Sequence, residues 1–155
     1  VDFFVQETEA LNGGDYSCRA GKRCSFHYEK NSNPGEEEQM ANFLFVLSQD
    51  DNVQATRCLQ FAKIAHSKGH VVNIFLIDDG VLWANKQKYL TQKTQTGDCP
   101  NDYLPYLVEN HVPIGVCTPC AKNRQIDETK FFPNMLLDGG PHLIDMAAES
   151  KVFNF

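Results

Sequence analysis

The sequence predicts an α/β fold, a three-layer α/β/α sandwich around a five-stranded, mainly parallel sheet. Three observations carry that prediction. Short apolar runs rich in Val, Ile, Leu and Phe recur from Asn42 onward, as expected of strands covered on both faces. Stretches with helical spacing stand between them, opened by Asp, Asn or Pro and in one case closed by Gly. The order alternates as βαβαβαβαβ, and strands joined through helices lie parallel with right-handed crossovers.

Residues 1–41 stand apart from this pattern. Asn12-Gly13-Gly14-Asp15 reads as a turn, Asn31 to Gly35 as a loop and Glu36 to Glu38 as a solvated acidic run. The segment reads as an irregular N-terminal extension with a short helix near Phe3 to Leu11. The α/β domain spans residues 42–155.

Asn42 to Ser48 is the first buried strand. Asp50, Asp51 or Asn52 caps the helix Val53 to Lys68, whose apolar face holds Cys58, Leu59, Phe61, Ala62 and Ala65, and Gly69 stops it. Val71 to Ile77 is the second strand, ending at Asp78-Asp79-Gly80. A short helix follows over Val81 to Lys88, then an exposed polar loop over Thr91 to Asp98. Tyr103 to Asn110 reads as a helix capped by Asp102, with Pro105 tolerated in its first turn. Val112 to Val116 is strand three and Met135 to Leu137 strand four. Pro141 opens a helix with Leu143, Ile144, Met146 and Ala147 on its apolar side. Lys151 to Phe155 closes the sheet.

Composition narrows the function. The chain has 155 residues, 42% hydrophobic, with a net charge of −6. That acidity argues against a broad nucleic-acid surface. No apolar stretch approaches the roughly 20 residues that span a bilayer. The first residues lack the basic-then-apolar layout of a signal peptide, although one already removed would leave no trace. Six cysteines in a chain of this size are too few for a disulfide scaffold. Individually used thiols in a reducing cytoplasm are the expectation. Neither a Gly-x-Gly-x-x-Gly pattern nor a P-loop is present, and no cofactor is expected.

The chemistry concentrates at Cys117-Thr118-Pro119-Cys120, directly after the third strand. Open α/β sheets build their sites at the C-terminal ends of strands. Helix starts and cationic neighbours favour the thiolate, which is the reactive form, and Lys122 and Arg124 follow closely. The structural alternative is a buried strand-end cysteine. A thioredoxin-type redox pair is a rival for any C-x-x-C. In that fold the motif follows the first strand, with a proline downstream that is hard to nominate here. A metal site would need Cys99, His111 or His142 beside the pair, yet strong zinc patterns use two close ligand pairs. No metal is expected. Cys18 and Cys24, with His27 nearby, are loosely spaced for zinc. A local disulfide, a ligand set and idle thiols all remain open for them. Cys58 falls in the helical core and Cys99 near the strand ends. His70 reads as an exposed residue at a strand start, and Asp78-Asp79 as a turn or cap.

The runs Asn42 to Ser48, Gly69 to Gly80 and Val112 to Cys120, with Arg124, Asp138-Gly139 and Val152-Phe153, resemble the DsrE/DsrF-like family of small sulfur-relay proteins over residues 42–155. The resemblance implies a parallel five-stranded sheet, trimers or hexamers, and a strand-end cysteine that carries persulfide sulfur between donor and acceptor proteins. By that resemblance Cys117 is the sulfurtransferase-like carrier. Cys120 matches the second cysteine of some relatives, and Lys122 and Arg124 are the electrostatic support. Many relatives place Gly after the Arg, whereas Gln125 stands here. A non-enzymatic interaction module of the same fold and a C-x-x-C redox protein are the alternatives.

Overall fold

The computed structural model describes residues 39–88 and 90–155. The expected helix near Phe3 to Leu11, and Cys18, Cys24 and His27, lie outside the described residues. Strands β1 (Asn42–Leu47), β2 (Val71–Leu76), β3 (Ile114–Cys117), β4 (Met135–Asp138) and β5 (Lys151–Asn154) form one sheet in the order β4-β3-β2-β1-β5, every pair parallel. This is the predicted α/β architecture. Helix α1 (Asn52–Ser67) packs on β1 and β2, and α2 (Leu104–Glu109) packs beside α1. Helix α4 (Gly140–Ala148) belongs to the crossover from the β4 edge to the β5 edge. Right-handed crossovers place it on the opposite face.

Register explains the core. Phe45, Ile74 and Ile114 are partners across β1, β2 and β3, and none is more than 2% exposed. Side chains of paired residues share a face. The alternate residues Leu44 and Phe75 fill the other face and are fully buried. Each such side chain contributes about 1.5–3 kcal/mol relative to exposure. That second face thins toward β4, where Leu136 is 73% exposed.

Helix α1 begins where Asp51 accepts the Gln54 N–H at 2.8 Å. It ends at Gly69, whose φ of +83° suits glycine. There the Gly69 N–H donates to the His66 carbonyl and the His70 N–H to the Ala65 carbonyl. Cys58, Leu59, Ala62 and Ala65 are buried as expected. Phe61 is not; it remains half-exposed, 6.0 Å from the Phe155 ring.

Three elements differ from expectation. The helix expected over Val81 to Lys88 is a tight 3-10 segment, Asp78–Ala84, laid on the end of β1. A Cβ at Gly80 would stand 2.0 Å from the Leu47 carbonyl oxygen, so only glycine lets the backbones approach this closely. Asp102 does not cap α2. Its carboxylate accepts the Cys99 N–H at 2.8 Å and the Cys99 thiol at 3.3 Å, closing the 3-10 turn Pro100–Asp102. The loop over Thr91 to Asp98 is not free either. Arg57 holds Asp98 through two bonds at 2.7 and 2.9 Å, and the Tyr103 hydroxyl donates to Asp98 at 2.8 Å.

The C-terminal elements are lightly covered. On α4, Leu143, Met146 and Ala147 pack against the core, while Ile144 is 67% exposed. Strand β5 is an edge. Its Phe153 stacks on Phe45 at 5.4 Å. Beyond it, Phe155 and β1 exchange backbone bonds at Val46 and Ser48.

Candidate functional site

Cys117 is the last residue of β3 and immediately precedes α3 (Thr118–Asn123). It is 7% exposed, while Cys120, one turn on, is half-buried. Both thiols are free. Burial pushes the Cys117 thiol above its ordinary pKa, and the Cys120 thiol beside it adds to that push. The Cys120 backbone N–H acts on the same sulfur in the opposite sense, and the nearby Asp78 charge raises it again. The isolated chain therefore holds Cys117 as a thiol at neutral pH.

Cys120 is held from β2. The Asp78 N–H donates to its sulfur at 3.4 Å, and its thiol lies 3.9 Å from Asp78 Oδ1. Asp78 adopts a left-handed φ of +48°, a conformation that Asp tolerates better than most residues. Arg124 turns to the adjacent carboxylate. Its Nε and a terminal nitrogen reach Asp79 Oδ1 at 2.8 and 2.7 Å, and its other terminal nitrogen lies 3.5 Å from the Cys120 carbonyl. Lys122 is exposed and has no ion pair among the described residues. The Asp78-Asp79 turn thus ties the end of β2 to α3, and the positive charge of Arg124 faces Asp79.

The end of α3 settles the departure at position 125. Gln125 has a φ of +52°, its N–H donates to the Lys122 carbonyl, and the Ile126 N–H donates to the Ala121 carbonyl. This double bond pattern is a Schellman stop. The chain makes the left-handed turn that glycine favours, but with glutamine.

On the other side of Cys117 stands Asp138, its register partner on β4. The Thr118 hydroxyl donates to the Asp138 carbonyl at 2.8 Å. The Gly139 N–H donates to Asp138 Oδ1 at 2.7 Å, and His142 Nδ1 meets Oδ2 at 2.7 Å. Sequence reasoning weighed His142 only as an additional metal ligand and took Asp138 only as a strand end and part of the family resemblance, with no role for its side chain. The signal that joins them is their i,i+4 spacing across a helix start.

Other cysteines lie elsewhere. Cys99 donates to Asp102, and Cys58 is fully buried, its thiol pushed up to about 12 by burial. No three His, Cys, Asp or Glu side chains among the described residues converge as metal ligands. A cleft of about 260 Å³ opens by Leu104, Val108 and Phe132, lined by neither Cys117 nor Cys120. No helix among the described residues is long and apolar enough to cross a membrane.

Comparisons with known proteins agree with this frame. A family model described as DsrE/DsrF-like family matches residues 41–155. An uncharacterized protein of Methanopyrus kandleri is 33% identical over 100 residues, covering 63% of this chain and 77% of that protein. An uncharacterized protein of Methanocaldococcus jannaschii is 34% identical over 101 residues, covering 63% of this chain and 82% of the other. Among solved structures, the ychN protein of E. coli superposes with a TM-score of 0.61 at 17% identity, over 76% of this chain and 100% of that one. A protein of unknown function from Methanobacterium thermoautotrophicum gives 0.54 at 11% identity, over 74% and 99%. At these identities the two structures show the shared fold.

Proposed function

The chain belongs to the DsrE/DsrF-like family, and on that premise we propose that it is a sulfur-relay protein in which Cys117 carries persulfide sulfur from a donor protein to an acceptor thiol. The observation that carries this reading is the position of Cys117, a free thiol at the C-terminal end of a parallel strand with a second free thiol one helical turn away. The Cys117 thiolate attacks the terminal sulfur of a donor persulfide. A new S–S bond forms at Cys117, the donor S–S bond breaks, and the donor thiolate leaves and takes up a proton. An acceptor thiolate then removes the outer sulfur in the same way. Cys120 is the auxiliary thiol. Its attack on the Cys117 sulfur would close a Cys117–Cys120 disulfide and expel hydrosulfide. Lys122, exposed on α3, gives the electrostatic support, while Arg124, paired with Asp79, braces the turn beside Cys120.

The protein works as a homo-oligomer, a trimer or hexamer, in a reducing cytoplasm. The exposed Leu136 and Ile144 are large apolar side chains that an oligomer interface would cover, which supports that assembly. Intact mass after incubation with a sulfane-sulfur donor tests the carrier role. A gain of one sulfur atom that disappears in Cys117→Ser is expected. No gain, or a gain that survives Cys117→Ser, overturns the reading.

The adjacency of the Cys117 and Cys120 thiols favours one second reading, a reversible dithiol–disulfide pair. Equilibration in glutathione buffers separates the two, since a pair that never oxidises has no redox role.

A further inference from the structure

The carrier thiol needs a base. Burial and Cys120 keep the proton on Cys117, and Arg124 is engaged with Asp79. The residue directly beside Cys117 across the sheet is Asp138, and paired residues project to the same face. Gly115 makes room on that face, since a Cβ there would stand 3.1 Å from Asp138 Oδ2. One Asp138 oxygen is fixed by the Gly139 N–H at 2.7 Å, which leaves the other aimed at His142 Nδ1, also at 2.7 Å. An ionised carboxylate only accepts hydrogen bonds, so the proton between the two sits on His142 Nδ1, and the tautomer that results offers a lone pair on Nε2. The His142 side chain is 61% exposed, which leaves that lone pair open to solvent and to a docking protein. The Thr118 hydroxyl, bonded to the Asp138 carbonyl at 2.8 Å, ties the residue after Cys117 to the same strand end.

We infer that Asp138 and His142 form an acid–base pair for Cys117, with His142 Nε2 moving the proton and Asp138 positioning the ring. The inference rests on the sulfur-carrier reading above. His142 receives the Cys117 thiol proton as the sulfur attacks a donor persulfide. The same proton then goes to the departing donor thiolate, so the net change is one sulfur atom moved and no oxidant consumed. No hydrogen bond joins His142 to Cys117 in the free chain, and their contact, direct or through one water, forms in the complex with the donor, since catalytic hydrogen bonds often form only once substrate is bound. The other titratable groups around the pair are Cys120 and Asp78 against Cys117, Lys122 and Arg124 on α3, and Asp145 one turn beyond His142 on α4.

The test loads the full chain with glutathione persulfide and follows sulfur uptake at Cys117 by quenched intact mass and peptide mapping across pH. His142→Ala should reach the wild-type end point about tenfold or more slowly at neutral pH. The gap should close at alkaline pH, where Cys117 ionises unaided, and added imidazole should restore part of the rate. His142→Gln, which retains a hydrogen-bond donor toward Asp138 but no base, should be as slow as His142→Ala. Asp138→Asn should slow loading less. Wild-type loading with either His142 variant as fast as wild type at all pH values overturns the pair while leaving the carrier role intact. A wild-type chain that never loads sulfur at Cys117 overturns the carrier role, and the pair with it.

Discussion

The backbone N–H of Asp78 donates to the Cys120 sulfur at 3.4 Å, joining residues 42 positions apart. That bond fixes Cys120 against the turn after β2, and Cys120 in turn acts on Cys117. Burial first, and the Cys120 side chain after it, raise the Cys117 thiol, so the second cysteine helps keep the first protonated before it does any chemistry of its own.

The reactivity of Cys117 follows from that arrangement. A raised thiol is mostly protonated at neutral pH, so its alkylation by iodoacetamide should climb as pH rises through and beyond the ordinary thiol range of about 8.5. Cys120→Ala removes a contribution that raises Cys117 and should quicken neutral-pH labelling severalfold. Cys58, fully buried, should label only in denaturant. Peptide mapping of alkylated cysteines reads all three outcomes. Unchanged Cys117 labelling in Cys120→Ala would show that Cys120 does not govern it.

Position 125 offers a stability test. A side chain in the left-handed region costs about 1–2 kcal/mol, and glycine recovers most of this against its greater freedom when unfolded, about 0.5–1 kcal/mol. Gln125→Gly should stabilise the chain by about 0.5–1 kcal/mol in urea unfolding. A loss of stability would mean that the glutamine side chain is itself needed.

The Arg57–Asp98 pair sets an acid-side limit. The Arg57 guanidinium and the Thr94 and Thr96 hydroxyls hold the Asp98 carboxyl well below the usual carboxylate range. The sign is that of a depressed acid: the contribution is complete above the unfolded value of about 4 and is lost as pH falls below it. Thermal midpoints measured from neutral to acid pH should fall more steeply for wild type than for Asp98→Asn, which starts lower at neutral pH. Parallel curves would show that the pair adds nothing to folding.

Much of this molecule is legible in one dimension. The apolar runs marked all five strands, and the Asp50-Asp51-Asn52 run and Gly69 bounded α1, because period, caps and stops are local properties of the chain. Reading failed where a residue had several possible partners and packing chose among them. Gly80 could be seen as a turn residue, but not as the point that rests on Leu47. Asp102 looked like a helix cap until Cys99 became its partner. Arg124 looked like a cation for Cys117, and Asp79 takes it.

By itself the sequence determined the α/β alternation and delivered Cys117 to a strand end, since both depend on neighbours a few residues away. The tertiary structure decided what surrounds that cysteine. The parallel order β4-β3-β2 sets Asp138 on one side of it and Asp78 beyond Cys120 on the other. Charges and hydrogen bonds act through space over a few ångströms, and only the crossovers bring Asp78 to Cys120 and Asp138 beside Cys117.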